Sequence, residues 1–267
     1  MIRVAVIGAS GRMGQAVINE LASATDAKLV AAIVSSNSKV LGQQVDSSLR
    51  YSDGSELTPE AVDVLIDFSL PAALIDNLQL AQRLQAAVVI CTTGFTSEQH
   101  QLLDQAAAHI AVLYAANTSV GICLLEQLVT LTSACLPDAD IEILEAHHAA
   151  KRDGPSGTAL LLGEAAAKGR SQRLHEVSAG VRADGLRESG SIGFAVLRAA
   201  DIIGEHTVYA AQLGERLELS HRVSDRRVFA RGALHAAHWL SGQAAGRYRL
   251  ADTLQMEQHL RQLLSEI

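Results

Sequence analysis

Ile2-Arg3-Val4-Ala5-Val6-Ile7-Gly8-Ala9-Ser10-Gly11-Arg12-Met13-Gly14 decides the fold. A short apolar run reads as a strand, the glycines as a tight turn, and Met13 through Leu21 as a helix ending near Ala24. Such a turn makes an anion site from backbone alone. The glycines allow a sharp bend and close approach of a diphosphate, and the helix that follows offers unpaired N–H groups and its positive dipole end. The spacing is G-x-x-G-x-x-G rather than G-x-G-x-x-G, so the strand before it and the helix after it carry the reading. A dinucleotide-binding unit is expected to open the chain.

Outward from that turn, strand and helix signals alternate. Lys28–Val34, Val62–Phe68, Ala87–Ile90 and Ile110–Tyr114 read as further strands. A helix opens after Pro71, and another over Thr96–Ala108 with Thr96 or Ser97 as its cap. Five short strands alternating with helices predict a doubly wound parallel sheet of Rossmann type, an α/β fold. Near Asn117–Gly121 the pattern changes to a long helix, Val120–Leu136, then a strand over Asp140–Ala146. Ser191–Arg198, His206–Ala211 and Arg216–His221 read as antiparallel strands, so a C-terminal α+β domain for substrate and oligomer contacts is expected. Closing helices are expected at Gly232–Gly242 and Thr253–Leu264, returning to the first domain. The predicted division is 1–118 with 232–267 against 119–231, with hinges near Asn117–Val120 and Phe229–Ala233. Ser178–Gly190, rich in Gly, Arg and Glu, reads as a mobile loop.

Composition narrows the function classes. The chain has 267 residues, enough for one large or two modest domains. Its formal net charge of -7 argues against a nucleic-acid surface. Hydrophobic residues make up 48 % but aromatics only 3 %, the Ala, Val, Leu and Ile content of helices packed on a parallel sheet. No apolar run reaches membrane-spanning length and no leader pattern precedes the first strand, so no membrane partner is expected. Cys91, Cys123 and Cys135 are widely spaced, with no C-x-x-C, pointing to a reducing cytoplasm and no structural zinc.

Two stretches carry chemistry. Val34 stands about twenty residues past the glycine turn, where an acid would bind the adenosine ribose and specify NAD. It is followed by Ser35-Ser36-Asn37-Ser38-Lys39, which repels no 2′-phosphate and offers Ser35 and Lys39 to receive one. NADPH is the expected cofactor, with NADH also possible. The denser stretch is Glu145-Ala146-His147-His148-Ala149-Ala150-Lys151-Arg152-Asp153-Gly154-Pro155-Ser156-Gly157-Thr158. Adjacent histidines on a strand point to opposite faces, so they do not chelate one metal together. One imidazole is expected to give a proton or touch substrate, with Lys151 and the N–H groups of Gly157 and Thr158 forming an anion pocket at a helix N-terminus. A dicarboxylate suits two such positive elements. A solvated charged loop capped by Ser156 is the alternative reading of the same residues.

These pieces resemble the 4-hydroxy-tetrahydrodipicolinate (dihydrodipicolinate) reductase family of diaminopimelate and lysine synthesis. The resemblance runs through Val4–Gly14, Val64–Ser69, Thr92–Phe95, Ala116–Gly121, Glu145–His148, Lys151 with Asp153–Ala159, Ser191–Phe194, Asp201–His206 and Gly214–Leu217. It implies reduction of a small cyclic dicarboxylate by NAD(P)H, and a homotetramer built through a mixed sheet. Residue by residue, it implies a cofactor grip by Gly8, Ala9, Ser10, Gly11, Arg12 and Met13, with Phe68 beside it. Cys91, Thr92, Thr93 and Gly94 match the loop beside nicotinamide and substrate, where Thr93 is expected to touch both. Ala116 and Asn117 match the segment on the carboxamide side. His147 matches the family's proposed general acid, and Lys151 its partner in catalysis. His148, Lys151, Gly157 and Thr158 match the substrate-carboxylate contacts. The chain departs from the family at Cys91, often Gly, at Val34, often acidic, and at His235, where some members have Arg. Two rival readings remain: another nicotinamide dehydrogenase of this architecture, and a non-catalytic NADP-binding descendant.

Overall fold

A computed structural model describes residues 1–265. The chain divides into two compact units, Met1–Ser119 with the segment from Arg227 onward, and Val120–Arg226.

The first unit contains β1 (Ile2–Ile7), α1 (Arg12–Leu21), β2 (Ala27–Ile33), β3 (Tyr51–Ser52), β4 (Val64–Asp67), α2 (Leu74–Leu84), β5 (Ala87–Ile90), α3 (Ser97–Ala107) and β6 (Ala111–Tyr114). The second contains α4 (Val120–Cys135), β7 (Asp140–His147), α5 (Gly157–Gly169), α6 (Leu174–Val177), β8 (Ser178–Val181), β9 (Ile192–Arg198), β10 (Gly204–Gln212) and β11 (Glu215–Val223). The chain then adds α7 (Arg227–Leu240), β12 (Gly246–Arg249) and α8 (Met256–Ser265) to the first.

The first unit is a parallel sheet in the order β12-β6-β5-β4-β1-β2-β3. Alternation sends Ala5 and Ile7 into a core shared with Leu74, Leu78 and Leu84 of α2 and Leu103 of α3. Val4 and Val6 face the other side of the sheet and are fully buried. The strands run outward from β1 to β3, then return to β4 on the other side of β1. That reversal places a crevice at the carboxyl ends of β1 and β4, where open α/β sheets bind ligands.

The sheet has seven strands rather than the five expected. Tyr51-Ser52 is too short to stand out, and Gly246-Arg247-Tyr248-Arg249 is a polar edge strand without the apolar alternation that marks a buried one. The first closing helix begins at Arg227, not Gly232, so residues 227–231 belong to the first unit and Phe229–Ala233 lies inside α7. The final helix begins at Met256, after a 3₁₀ turn over Leu250–Leu254.

The second unit is a mixed sheet in the order β11-β10-β7-β9-β8. β10 runs antiparallel to both neighbours, but β9 is parallel to β7, contrary to the antiparallel reading. The reason is the long connection through α5 and α6, which carries the chain back before β9 begins, as a parallel crossover must. Ser178–Gly190, read as a mobile loop, opens with β8, and Arg182 and Arg187 both bond the Glu142 carboxylate. Ile141, Ile143, Ile192, Phe194, Val208 and Ala210 pack under α4 and α5. No helix among the described residues is long and apolar enough to cross a membrane.

Candidate active site

In the first unit, β1 ends at Ile7 and the chain turns at Gly8, whose φ is +74°. A side chain there would strain the backbone, and its Cβ would lie 2.7 Å from the Phe68 carbonyl oxygen. At Gly14 a Cβ would sit 2.3 Å from the Gly8 carbonyl oxygen, so the first turn of α1 can press against the loop only without one. The Ala9 N–H donates to the Ile33 carbonyl at 3.1 Å, tying the turn to the end of β2. The helix start therefore faces the crevice with backbone alone.

That crevice holds a cavity of about 560 Å³, lined by Gly11, Arg12, Met13, Phe68, Ser69, Cys91, Thr92, Thr93, Ala115, Ala116, Asn117, Thr118 and Phe229. Size, position and the glycine turn fit a dinucleotide. Nine of the expected residues meet there: Gly11, Arg12, Met13, Phe68, Cys91, Thr92, Thr93, Ala116 and Asn117. Gly8, Ala9 and Ser10 form the turn behind it, and Gly94 continues the loop at φ +84° with open space around it. Ser35 and Lys39 are not in the lining; they occupy an exposed turn after β2. Val34 follows directly on β2, is 6 % exposed and donates its N–H to the Ser52 carbonyl.

Beneath the cavity lies Asp67, fully buried at the end of β4. Its carboxylate accepts the Ser69 N–H at 2.7 Å and the Asn77 side-chain amide at 2.9 Å; the Thr92 hydroxyl reaches it at 3.4 Å. Burial pushes this carboxyl up from its ordinary value against those hydrogen bonds. Burial, and then Asp67, push the neighbouring Cys91 thiol well up, so Cys91 lines the cavity as a neutral thiol rather than a nucleophile. His235 lies on α7, with Nε2 3.1 Å from the Thr253 hydroxyl.

In the second unit the helix-covered face of the sheet changes character along β7. Ile141 and Ile143 are followed, two residues apart, by Glu145 and His147. Register places Arg198 beside His147 and His206 beside Glu145. The Glu145 carboxylate is fully buried. Its Oε2 meets His147 Nδ1 at 2.6 Å and Arg198 Nη1 at 2.8 Å, and its Oε1 meets Arg198 Nη2 at 2.9 Å and the Ser156 N–H at 3.0 Å. Burial alone would raise this carboxyl; the bonds from Arg198, His147 and Ser156 outweigh it and hold the group below the usual range.

Ser156 caps α5, its hydroxyl accepting the Ala159 N–H at 3.1 Å. Gly157 and Thr158 form the first turn, and open space surrounds the Gly157 Cα. Lys151 Nζ sits 2.9 and 2.8 Å from the two Asp153 oxygens, which holds the Asp153 carboxyl below its ordinary value. His148 lies just past the end of β7 and accepts the Lys151 N–H on its carbonyl at 3.0 Å. His206 is 4 % exposed, with Nε2 3.1 Å from the Ser156 hydroxyl and its ring 5.2 Å from that of His147. Among the described residues, no group of three His, Cys, Asp or Glu is placed to hold a metal.

Sequence reasoning named His147, His148, Lys151, Gly157 and Thr158 but missed Glu145, Arg198, His206 and Asp67. A buried acid two residues before a histidine on a strand was the available signal for Glu145. Arg198 and His206 come from distant strands, and only register brings them in.

Comparison with known proteins bears on the family and the fold. Residues 2–118 match the family model described as dihydrodipicolinate reductase, N-terminus, and residues 121–254 the one described as its C-terminus. A 4-hydroxy-tetrahydrodipicolinate reductase of Zymomonas mobilis is 47 % identical over 256 residues, covering 95 % of this chain and 97 % of that protein. One from Pseudomonas fluorescens is 43 % identical, covering 96 % and 100 %. Among solved structures, dipicolinate-bound dihydrodipicolinate reductase from Paenisporosarcina has the same fold, with a TM-score of 0.76 at 23 % identity over 93 % of this chain and 97 % of that one. Both family models, together spanning nearly the whole chain, and relatives this close mean that the chain belongs to the dihydrodipicolinate reductase family.

Proposed function

We propose that His147 is the proton donor and Lys151 the principal carboxylate anchor of an enzyme that reduces 4-hydroxy-tetrahydrodipicolinate to tetrahydrodipicolinate with NAD(P)H, in diaminopimelate and lysine synthesis. The net change adds one hydride and one proton and releases one water. When bound, the reduced nicotinamide supplies the hydride. Gly11, Arg12 and Met13 hold the diphosphate at the start of α1, and Thr92, Thr93, Ala116 and Asn117 orient the nicotinamide end. Thr93 also touches substrate. His147 gives its proton from Nε2, because Nδ1 is held by Glu145. Lys151 exchanges Asp153 for a substrate carboxylate, while His148 and the N–H groups of Gly157 and Thr158 hold the substrate in place. The observation that carries this reading is the buried Glu145 carboxylate orienting His147 beside the α5 N-terminus.

The exposed turn with Ser35 and Lys39 supports NADPH as the preferred cofactor, with NADH also accepted. The enzyme works as a cytoplasmic homotetramer. The exposed Leu197 and Leu217 on the second unit's sheet support the assembly, and three free cysteines support the compartment.

Steady-state kinetics of His147→Gln and His148→Gln test the roles. The first should lower kcat by about 10²–10⁴-fold, the range for losing a general acid, and the second should act mainly on KM. A reversed pattern exchanges the two roles, and full activity in both removes the assignment.

A further inference from the structure

We propose that Glu145 is a positioning residue: its one buried carboxylate fixes the tautomer of His147 and, at the same time, the start of α5. The proposal rests on the reading of His147 as proton donor, which it extends to the group that makes that role possible.

The carboxylate has two oxygens and about four lone-pair sites, and four donors occupy them. His147 Nδ1 and Arg198 Nη1 share Oε2; Arg198 Nη2 and the Ser156 N–H share Oε1. An ionised carboxylate can only accept, so Nδ1 of His147 must carry a hydrogen. Nε2 is left as the atom that gains and loses the proton. Gly204 lies close beside it: a Cβ there would come within 3.2 Å of Nε2, a crowding that glycine avoids. The bond from Oε1 to the Ser156 N–H ties the same carboxylate to the residue that caps α5. Arg198 also donates to the Asp153 carbonyl at 2.6 Å, fastening the intervening loop. Proton donor and anion-binding turn are thus held in register by one ion pair.

The charged and titratable groups facing this imidazole are Glu145 on its own strand, Arg198 on β9, His206 on β10 with His221 beyond it on β11, and Lys151 with Asp153 in the following loop. His206 adds no charge near neutral pH, since burial, and then His147, push it down to about 4. Of these, Glu145 bonds the imidazole directly and Arg198 stands beside it in the strand register.

The test is ¹⁵N NMR of the imidazoles in the intact protein, alongside the pH profile of kcat/KM. In the wild type, neutral His147 should be the Nδ1–H tautomer, opposite to the one an unconstrained side chain favours. In Glu145→Gln the Nε2–H form should appear, kcat should fall 10- to 100-fold, and the alkaline limb of the profile should move about one unit lower. Glu145→Asp should keep the position of that limb while losing rate, because charge is retained and distance is not. An Nε2–H tautomer in the wild type overturns the proposal even if no variant folds. An unchanged tautomer and limb in Glu145→Gln overturn it too. If the tautomer obeys Glu145 but His147→Gln turns over normally, the proton-donor reading fails while the positioning stands.

Discussion

Lys151 is held by the protein's own carboxylate. With Asp153 at 2.8 and 2.9 Å, binding a dicarboxylate exchanges one anion for another, and the gain is the difference between them. Asp153 is largely exposed, so its contact is screened and readily given up. Lys151→Ala should lower kcat/KM by about 10- to 100-fold, mainly through KM, with cofactor affinity unchanged. Lys151→Arg should not restore it, because a planar fork does not replace a compact ammonium. Near-normal kcat/KM in Lys151→Ala would remove the anion pocket. Much of this site was legible in one stretch of chain, since β7, its following loop and the cap of α5 are contiguous. Arg198 and His206 were not legible, because they belong to the site through strand pairing rather than sequence spacing.

At the scale of elements, α7 shows how closely backbone must approach backbone. A Cβ at Gly232 would lie 1.7 Å from the Thr118 carbonyl oxygen, and the Thr118 hydroxyl donates to the Phe229 carbonyl at 2.7 Å. This contact fixes the segment from Ala115 to Thr118 that lines the cavity. Gly232→Ala should cost ~3 kcal/mol or more, because a rigid carbonyl must move. It should also weaken cofactor binding, which denaturant titration and fluorescence of bound NADPH would report. Unchanged stability would mean that α7 can slide without cost. The central strands and their helices were legible because buried parallel strands are continuous apolar runs. β3 and β12 were not, being short or polar at the sheet edges. The direction of β9 was not either, because its amphipathic pattern is the same in parallel and antiparallel pairing, and only the crossover through α5 and α6 decides it.

Over the whole molecule, stability should carry the signature of a histidine that stays neutral when folded. His206 is pushed from 6.5 to about 4 by burial, and then by His147. Between those values the unfolded chain takes up a proton that the folded chain refuses, so this group's contribution is complete above pH 6.5 and is lost as pH falls toward 4. By urea unfolding the wild type should lose ~2 kcal/mol more than His206→Gln between pH 7 and pH 5. Parallel losses would show that His206 protonates without penalty. The central claim, that this family member is a working reductase rather than a passive dinucleotide binder, is tested most directly by turnover. The measurement is loss of reduced-nicotinamide absorbance while a dihydrodipicolinate synthase makes the substrate in situ, run with NADPH and with NADH. Oxidation that requires both enzymes, with kcat/KM higher for NADPH, is the predicted result; tight NADPH binding with no oxidation of either cofactor would contradict the account.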